Sequence, residues 1–220
     1  MEHDVEIVRD ADAVAHLGAA LVATWARAAA ADHGAFAFAV SGGTTPWAMF
    51  ARLEVEDVPW SQSTIYQVDE RIVPAGDPDR NVTQLRASLA GAPANVVPMP
   101  VEHDDPEAAA AEYAAALPER FDLVHLGLGD DGHTASLVPG DPVLDVVDRL
   151  VAVTAEYRGR RRMTLTYPAL ARADQILWLV TGADKVEALR RLRAGDRSIP
   201  AGRVEARRSL IVADRAAAGS

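Results

Sequence analysis

The sequence predicts an α/β domain whose core is a mostly parallel sheet. Three observations point there. Short apolar runs alternate with helix-like stretches, which is the pattern of βαβ units. Several of those runs end in a glycine or hydroxyl turn that opens directly into a helix. The 220 residues, 49% hydrophobic and 25% charged, suit one domain over residues 1–220 with a sizeable core of its own.

The elements follow in order. Residues 5–8 read as a short strand. Residues 10–32 are Ala-rich and read as a long helix stopped by Gly34. Residues 35–40 (AFAFAV) form a buried strand that runs into Ser41-Gly42-Gly43-Thr44-Thr45-Pro46, a turn with proline placed in the first turn of the next helix. Residues 64–68 are a strand ending at Asp69-Glu70-Arg71. Helices are expected at 79–89 and 105–117. Phe121–Leu126 is a strand leading into a glycine-rich loop, and 150–154 and 163–166 are further strands. Residues 175–181 (QILWLVT) form a buried strand followed by a helix over 183–193, and 209–213 is the last strand. The tail 216–220 reads as loose. In open parallel sheets ligands sit beyond the carboxyl ends of the strands. The loops to inspect are therefore 41–46, 69–71, 127–139 and 181–185.

Composition narrows the function classes. With no cysteine, disulfide scaffolds, thiolate zinc sites and a cysteine nucleophile are excluded. No apolar run approaches a membrane span, and Met1-Glu2-His3-Asp4 opens no signal-type core, so a cytoplasmic protein with no membrane partner is expected. The net charge of −10 argues against nucleic acid. The charge is uneven: residues 1–157 carry 8 basic and 26 acidic side chains, and residues 158–220 carry 14 basic and 6 acidic. A basic C-terminal third suits a small anionic ligand, although solvated helix faces would give the same count. Every basic residue but Lys185 is arginine.

The loops carry the chemistry. Gly127-Leu128-Gly129-Asp130-Asp131-Gly132 matches the glycine spacing of a dinucleotide site. Two carboxylates against a pyrophosphate, the late position in the chain, and Pro139 and Pro142 where a long helix should run all argue against that use, so no cofactor is expected. His133 is the one histidine on a glycine-rich loop at a strand end, and it suits general-base work on water. Asp131, two residues earlier, can orient it. Those two would be too few ligands for a metal site, and none is expected. His3, His16, His33 and His103 read as surface residues, and His125 as a satisfied core histidine. Ser41-Gly42-Gly43-Thr44 offers free N–H groups and hydroxyls to a phosphate, or is simply a tight turn with a cap. It is neither a Walker A loop nor a nucleophile elbow. Lys185 opens a helix, where a cation opposes the macrodipole; a phosphate contact would explain it.

Taken together these motifs resemble the 6-phosphogluconolactonases, hydrolases of the oxidative pentose phosphate pathway. The resemblance rests on the loop GLGDDGHTASLVPG (127–140), on Ser41–Thr44 in order, on Asp69-Glu70-Arg71 with Val73-Pro74 and Asn81, on Arg162-Met163-Thr164-Leu165-Thr166, and on Gly182-Ala183-Asp184-Lys185. It covers about residues 41–214. It implies a three-layer α/β/α domain with a Rossmann-like sheet, as in glucosamine-6-phosphate deaminases, and a metal-independent hydrolase of a phosphosugar lactone, monomeric or weakly self-associating. It also implies His133 as general base. Ser41, Gly42, Gly43, Thr44, Arg162 and Lys185 would surround the phosphate end. Arg71 would contact substrate or developing charge, Asp69 and Asp131 would line the pocket, and Gly129 would bind substrate; the oxyanion would meet either backbone N–H groups of this glycine loop or Arg71. The chain departs from the family at Asp77, Arg80 and Val138, where His, Ser and Phe are common. The related deaminases carry a Glu five residues after the histidine; here that position is Val138, which cannot relay a proton. Sugar-phosphate sensor domains of similar fold usually add a helix-turn-helix module, and the residues before the second strand leave no room for one.

Overall fold

The computed structural model describes residues 2–219. Met1, part of the expected leaderless start, and Ser220, part of the expected loose tail, lie outside them. The chain runs β1 (Asp4–Val8), α1 (Ala11–His33), β2 (Phe36–Val40), α2 (Thr44–Leu53), β3 (Ser63–Gln67), β4 (Asp69–Arg71), α3 (Asn81–Ser88) and β5 (Asn95–Val97). It continues through α4 (Pro106–Ala116), β6 (Phe121–Leu126), β7 (Val151–Val153), β8 (Arg162–Leu165), α5 (Tyr167–Leu170), β9 (Ala173–Val180), α6 (Val186–Arg193), β10 (Arg208–Asp214) and α7 (Arg215–Ala218).

Seven strands form one sheet in the order β1-β10-β9-β6-β2-β3-β5, every pair parallel. From the β2–β6 boundary the chain winds outward in both directions, so the loops after these two strands diverge there. This is the crevice where open α/β sheets take ligands. Alternating side chains feed two cores. Phe38, Val40, Leu123, Leu177 and Leu179 pack under α1, α2 and α3. Ala39, Val124, Ile176, Trp178 and Val180 pack on the other face with α4 and α6. The result is the expected three-layer α/β/α arrangement.

Local chemistry explains the helix boundaries. The Asp10 carboxylate accepts from Ala13 N–H at 2.9 Å, and Gly34 closes α1 with φ 83°. Asp105 caps α4 ahead of Pro106.

The structure differs from the sequence reading in four places. Strands β7 and β8 do not join the parallel sheet; with β4 they form a separate antiparallel sheet in the order β4-β8-β7. Tail residues 215–218 are helical, capped by Asp214 accepting from Ala217 N–H at 2.7 Å, with Ala217 buried. Residues 183–185 make a 3-10 turn ahead of α6. Helix α1 is, by length and composition, long and apolar enough to cross a membrane, whereas no such run was expected. Here Val14, Ala15, Ala19, Val22, Ala23 and Ala26 are buried, forming the stripe that a sheet-packed helix needs.

Candidate active site

Four loops at strand carboxyl ends meet around a cleft of about 430 Å³. After β2 the chain passes through Ser41, Gly42 and Gly43 into α2. The N-cap position of α2, Gly43, supplies no side-chain cap, so the first-turn N–H groups face the cleft uncapped. Ser41 is buried and its hydroxyl has no hydrogen-bond partner. Gly42 is required sterically: a Cβ there would fall 2.1 Å from Asn81 Oδ1.

After β3 the chain leaves the main sheet through β4, which brings Asp69 and Arg71 to the opposite wall. Asp69 is buried. Its Oδ2 accepts from Ser136 Oγ at 2.6 Å, yet burial raises its carboxyl above the ordinary carboxylate range. Arg71 Nη1 donates to Asp79 O at 2.7 Å and to Asn81 Oδ1 at 2.8 Å. Asn81 Nδ2 in turn donates to Asp69 O at 2.9 Å. Asn81, which the sequence offered only as a family position, therefore ties Gly42, Asp69 and Arg71 together.

The loop after β6 holds Asp131 and His133 side by side. Asp131 Oδ1 accepts from His133 N–H at 2.9 Å and lies 2.6 Å from His133 Nδ1. Burial works against the Asp131 carboxylate, but the His133 hydrogen bonds and ring charge outweigh it and hold the group below its usual range. An ionised carboxylate only accepts, so in the neutral ring the proton sits on Nδ1 and Nε2 carries the lone pair. Gly129 makes room for that ring: a Cβ there would lie 2.1 Å from His133 Nδ1. Its N–H donates to His133 O at 2.8 Å, and Gly132 N–H donates to Gly129 O at 3.0 Å. Of the two oxyanion donors that the sequence leaves open, glycine-loop N–H groups or Arg71, the Gly129 and Gly132 N–H groups are engaged within the loop itself. Asp131 stands behind His133 and does not line the cleft; Asp130 does.

From β8, Arg162 reaches the cleft half-buried. Its Nε has no hydrogen-bond partner, and its guanidinium lies 5.0 Å from the Tyr157 ring centre. Desolvation first, then the nearby Arg71 and Arg158 charges, hold Arg162 below the usual arginine value, against the pull of Asp69. Lys185 lines the cleft and pairs with Asp184 at 2.8 Å, while Thr181 and Thr45 share a 2.8 Å hydrogen bond below it. All the sequence-predicted site residues except Asp131 line this cleft. Tyr157 and Arg158 line it as well and are absent from the sequence reading, and Asn81, named there only as a family position, lines it too. Among the described residues no group of three or more His, Asp or Glu side chains is placed to hold a metal ion, and Asp131 and His133 engage each other.

His125, on β6 below this loop, is fully buried as expected but not satisfied. Both ring nitrogens lack partners, and burial pushes the imidazole down to about 3. His3, read as a surface residue, is half-buried with Nδ1 2.7 Å from Ser209 Oγ.

A parallel sheet with a carboxylate-oriented histidine and a cationic rim at its switch point is an α/β arrangement suited to a small anionic ligand. The chain belongs to the family described as glucosamine-6-phosphate isomerases/6-phosphogluconolactonase, whose model matches residues 9–212. A Synechocystis relative named 6-phosphogluconolactonase is 39% identical over 175 residues, covering 73% of this chain and 72% of the relative. A Nostoc protein of the same name is 32% identical, covering 100% of this chain and 98% of its own length. The crystal structure of a 6-phosphogluconolactonase from Shewanella baltica superposes with a TM-score of 0.88 at 26% identity, covering 97% of both chains.

Proposed function

We propose that this chain hydrolyses 6-phospho-D-glucono-1,5-lactone to 6-phospho-D-gluconate with His133 as general base. The observation that carries this reading is the Asp131–His133 pair, 2.6 Å apart, opening on a cleft that also holds Arg71, Arg162 and Lys185. The lactone is an activated ester, so the chemistry required is modest. His133 Nε2 takes a proton from a water molecule as its oxygen bonds to the C1 carbonyl carbon. The carbonyl oxygen gains the electron pair. Arg71 is the better donor to that oxyanion, because the single N–H groups of Gly129 and Gly132 are already engaged, whereas Arg71 makes its hydrogen bonds through Nη1 and keeps the donors of Nε and Nη2. The intermediate then collapses, the bond from C1 to the ring oxygen breaks, and the imidazolium returns its proton to that oxygen. The phosphate, held by the cationic rim and the uncapped start of α2, lends binding energy to position C1.

The deaminase branch of the family is disfavoured by Val138, buried and without a titratable group where a relay carboxylate would stand. The test is acid release from freshly made 6-phosphogluconolactone in a weakly buffered solution. Wild-type protein is expected to raise the rate far above spontaneous hydrolysis. A rate equal to that background, or ammonia released from glucosamine 6-phosphate, would sink the reading.

A further inference from the structure

Residues 157–160 (Tyr-Arg-Gly-Arg) form a tight hairpin at the mouth of the cleft. Tyr157 N–H donates to Arg160 O at 2.9 Å and Arg160 N–H to Tyr157 O at 3.3 Å. Both central residues are left-handed, Arg158 with φ 52° and Gly159 with φ 75°. That is the geometry of a type I′ turn, whose first central position favours Asn, Asp or Gly. A long side chain there is strained, and strain retained at a site mouth calls for a reason outside the turn.

The surroundings supply one. Arg158 lines the cleft, and its guanidinium lies 5.1 Å from the Tyr157 ring centre. Among the described residues this ring is its only partner; no carboxylate or carbonyl engages it. The neighbouring cations are different. Arg160 pairs with Asp79 at 3.1 Å, Lys185 with Asp184, and Arg71 donates to Asp79 O. Arg162 comes nearest to Arg158: it approaches the same ring and carries a buried Nε with no acceptor, although the Asp69 charge lies near it. Two guanidinium groups gathered on one aromatic ring repel each other unless an anion joins them. A phosphate monoester, with nearly two charges and three acceptor oxygens, suits two such forks.

We infer that Arg158 is a further ligand for the phosphate of the substrate, presented by the strained turn 157–160 and acting together with Arg162. The inference rests on the phosphosugar reading above and adds a residue that neither the motifs nor the family resemblance assigned. The turn itself offers a clean test, because Arg158→Asn installs the Asn-Gly pair that this geometry favours while removing the charge.

Calorimetric titration with 6-phosphogluconate, with phosphate-free gluconate in parallel, reads binding without turnover. Arg158→Asn is expected to melt at or above the wild-type temperature yet bind 6-phosphogluconate about tenfold more weakly, the lower end for a lost charge-assisted contact. Arg158→Lys should recover part of that loss. Affinity within twofold of wild type for Arg158→Asn, or an equal loss toward gluconate, would overturn the assignment. Wild-type protein that binds 6-phosphogluconate but does not hydrolyse the lactone would overturn only the proposed activity. Wild-type protein that does not bind 6-phosphogluconate at all would overturn both.

Discussion

Asp131 Oδ1 receives both the backbone N–H and the ring Nδ1 of one residue, so the His133 imidazole is held in orientation and tautomer at once. Removing the ring should abolish most turnover with little effect on folding, since His133 lies on a partly exposed loop. His133→Ala is expected to lower kcat about 10²- to 10⁴-fold with the melting temperature nearly unchanged. Asp131→Asn should act in the same direction, because an amide can present its N–H to Nδ1 and leave the wrong nitrogen protonated. A folded His133→Ala that keeps kcat within twofold of wild type would remove the histidine from the mechanism. Lys185 tests the other end of the substrate. Its pair with Asp184 is largely solvent-exposed on the carboxylate side and contributes little to stability. Lys185→Ala should therefore leave the protein folded but cost roughly 10- to 150-fold in kcat/KM on the phosphorylated lactone, and very little on glucono-1,5-lactone. Equal losses on both substrates would assign Lys185 to the chemistry or the fold.

At the scale of elements, one buried carboxylate joins β4 to α3. Glu70 is 0% exposed and accepts from Arg71 N–H, Asn81 N–H, Val82 N–H and Gln67 Nε2, all at 2.7–2.8 Å, with Arg80 Nε a further 3.4 Å away. It serves as the missing cap of α3, whose N-cap position is Arg80 and makes no side-chain cap bond. Glu70→Ala would leave these donors without their acceptor and the Arg80 guanidinium with Glu102, 2.6 Å from its Nη1, as its remaining carboxylate. The expected loss is about 3–5 kcal/mol of unfolding free energy, measured by urea denaturation, with Arg71 released from its place and activity falling in step. A loss below about 1 kcal/mol would show that the cap is dispensable. Sequence reading assigns roles to Asp69 and Arg71 and none to Glu70, which enters only as part of the motif. The reason is physical: a capping box is visible when cap and N–H groups are three residues apart, whereas here they are eleven and twelve apart and meet only through the β4 turn. Likewise β5 has three residues, too few for a period to register. The antiparallel pairing of β4 with β8 joins residues such as Asp69 and Thr164, far apart in the chain, and no local pattern encodes it. By contrast the four loops of the cleft were legible, because glycine, hydroxyl and charged residues directly after apolar strands mark carboxyl ends in any parallel sheet.

At the scale of the whole molecule, the centre of the sheet carries a group that couples folding to pH. His125 lies on β6 between β2 and β9, with Val40 and Leu177 as its register partners and the Phe50 ring 6.2 Å away edge-on. With neither nitrogen hydrogen-bonded, the folded protein keeps the imidazole neutral down to about pH 3. The unfolded chain protonates it near 6.5. The unfolded state therefore binds more protons between those values, and stability is lost as pH falls from 6.5 toward 3 at up to about 1.4 kcal/mol per unit. From this group alone, stability at pH 5 should be about 2 kcal/mol below that at pH 7.5. His3, also lowered by burial, acts in the same direction, and Asp69, raised by burial, acts in the opposite one. A comparison of variants separates these contributions. His125→Leu replaces the ring with an apolar side chain of similar size and removes two unpaired buried nitrogens, so at pH 7.5 it should be neutral or stabilising. Urea denaturation of both proteins at pH 7.5 and pH 5 should show the wild type losing about 2 kcal/mol more than the variant across that interval. If the two lose the same amount, acid sensitivity originates elsewhere and His125 must find a hydrogen-bond partner in solution.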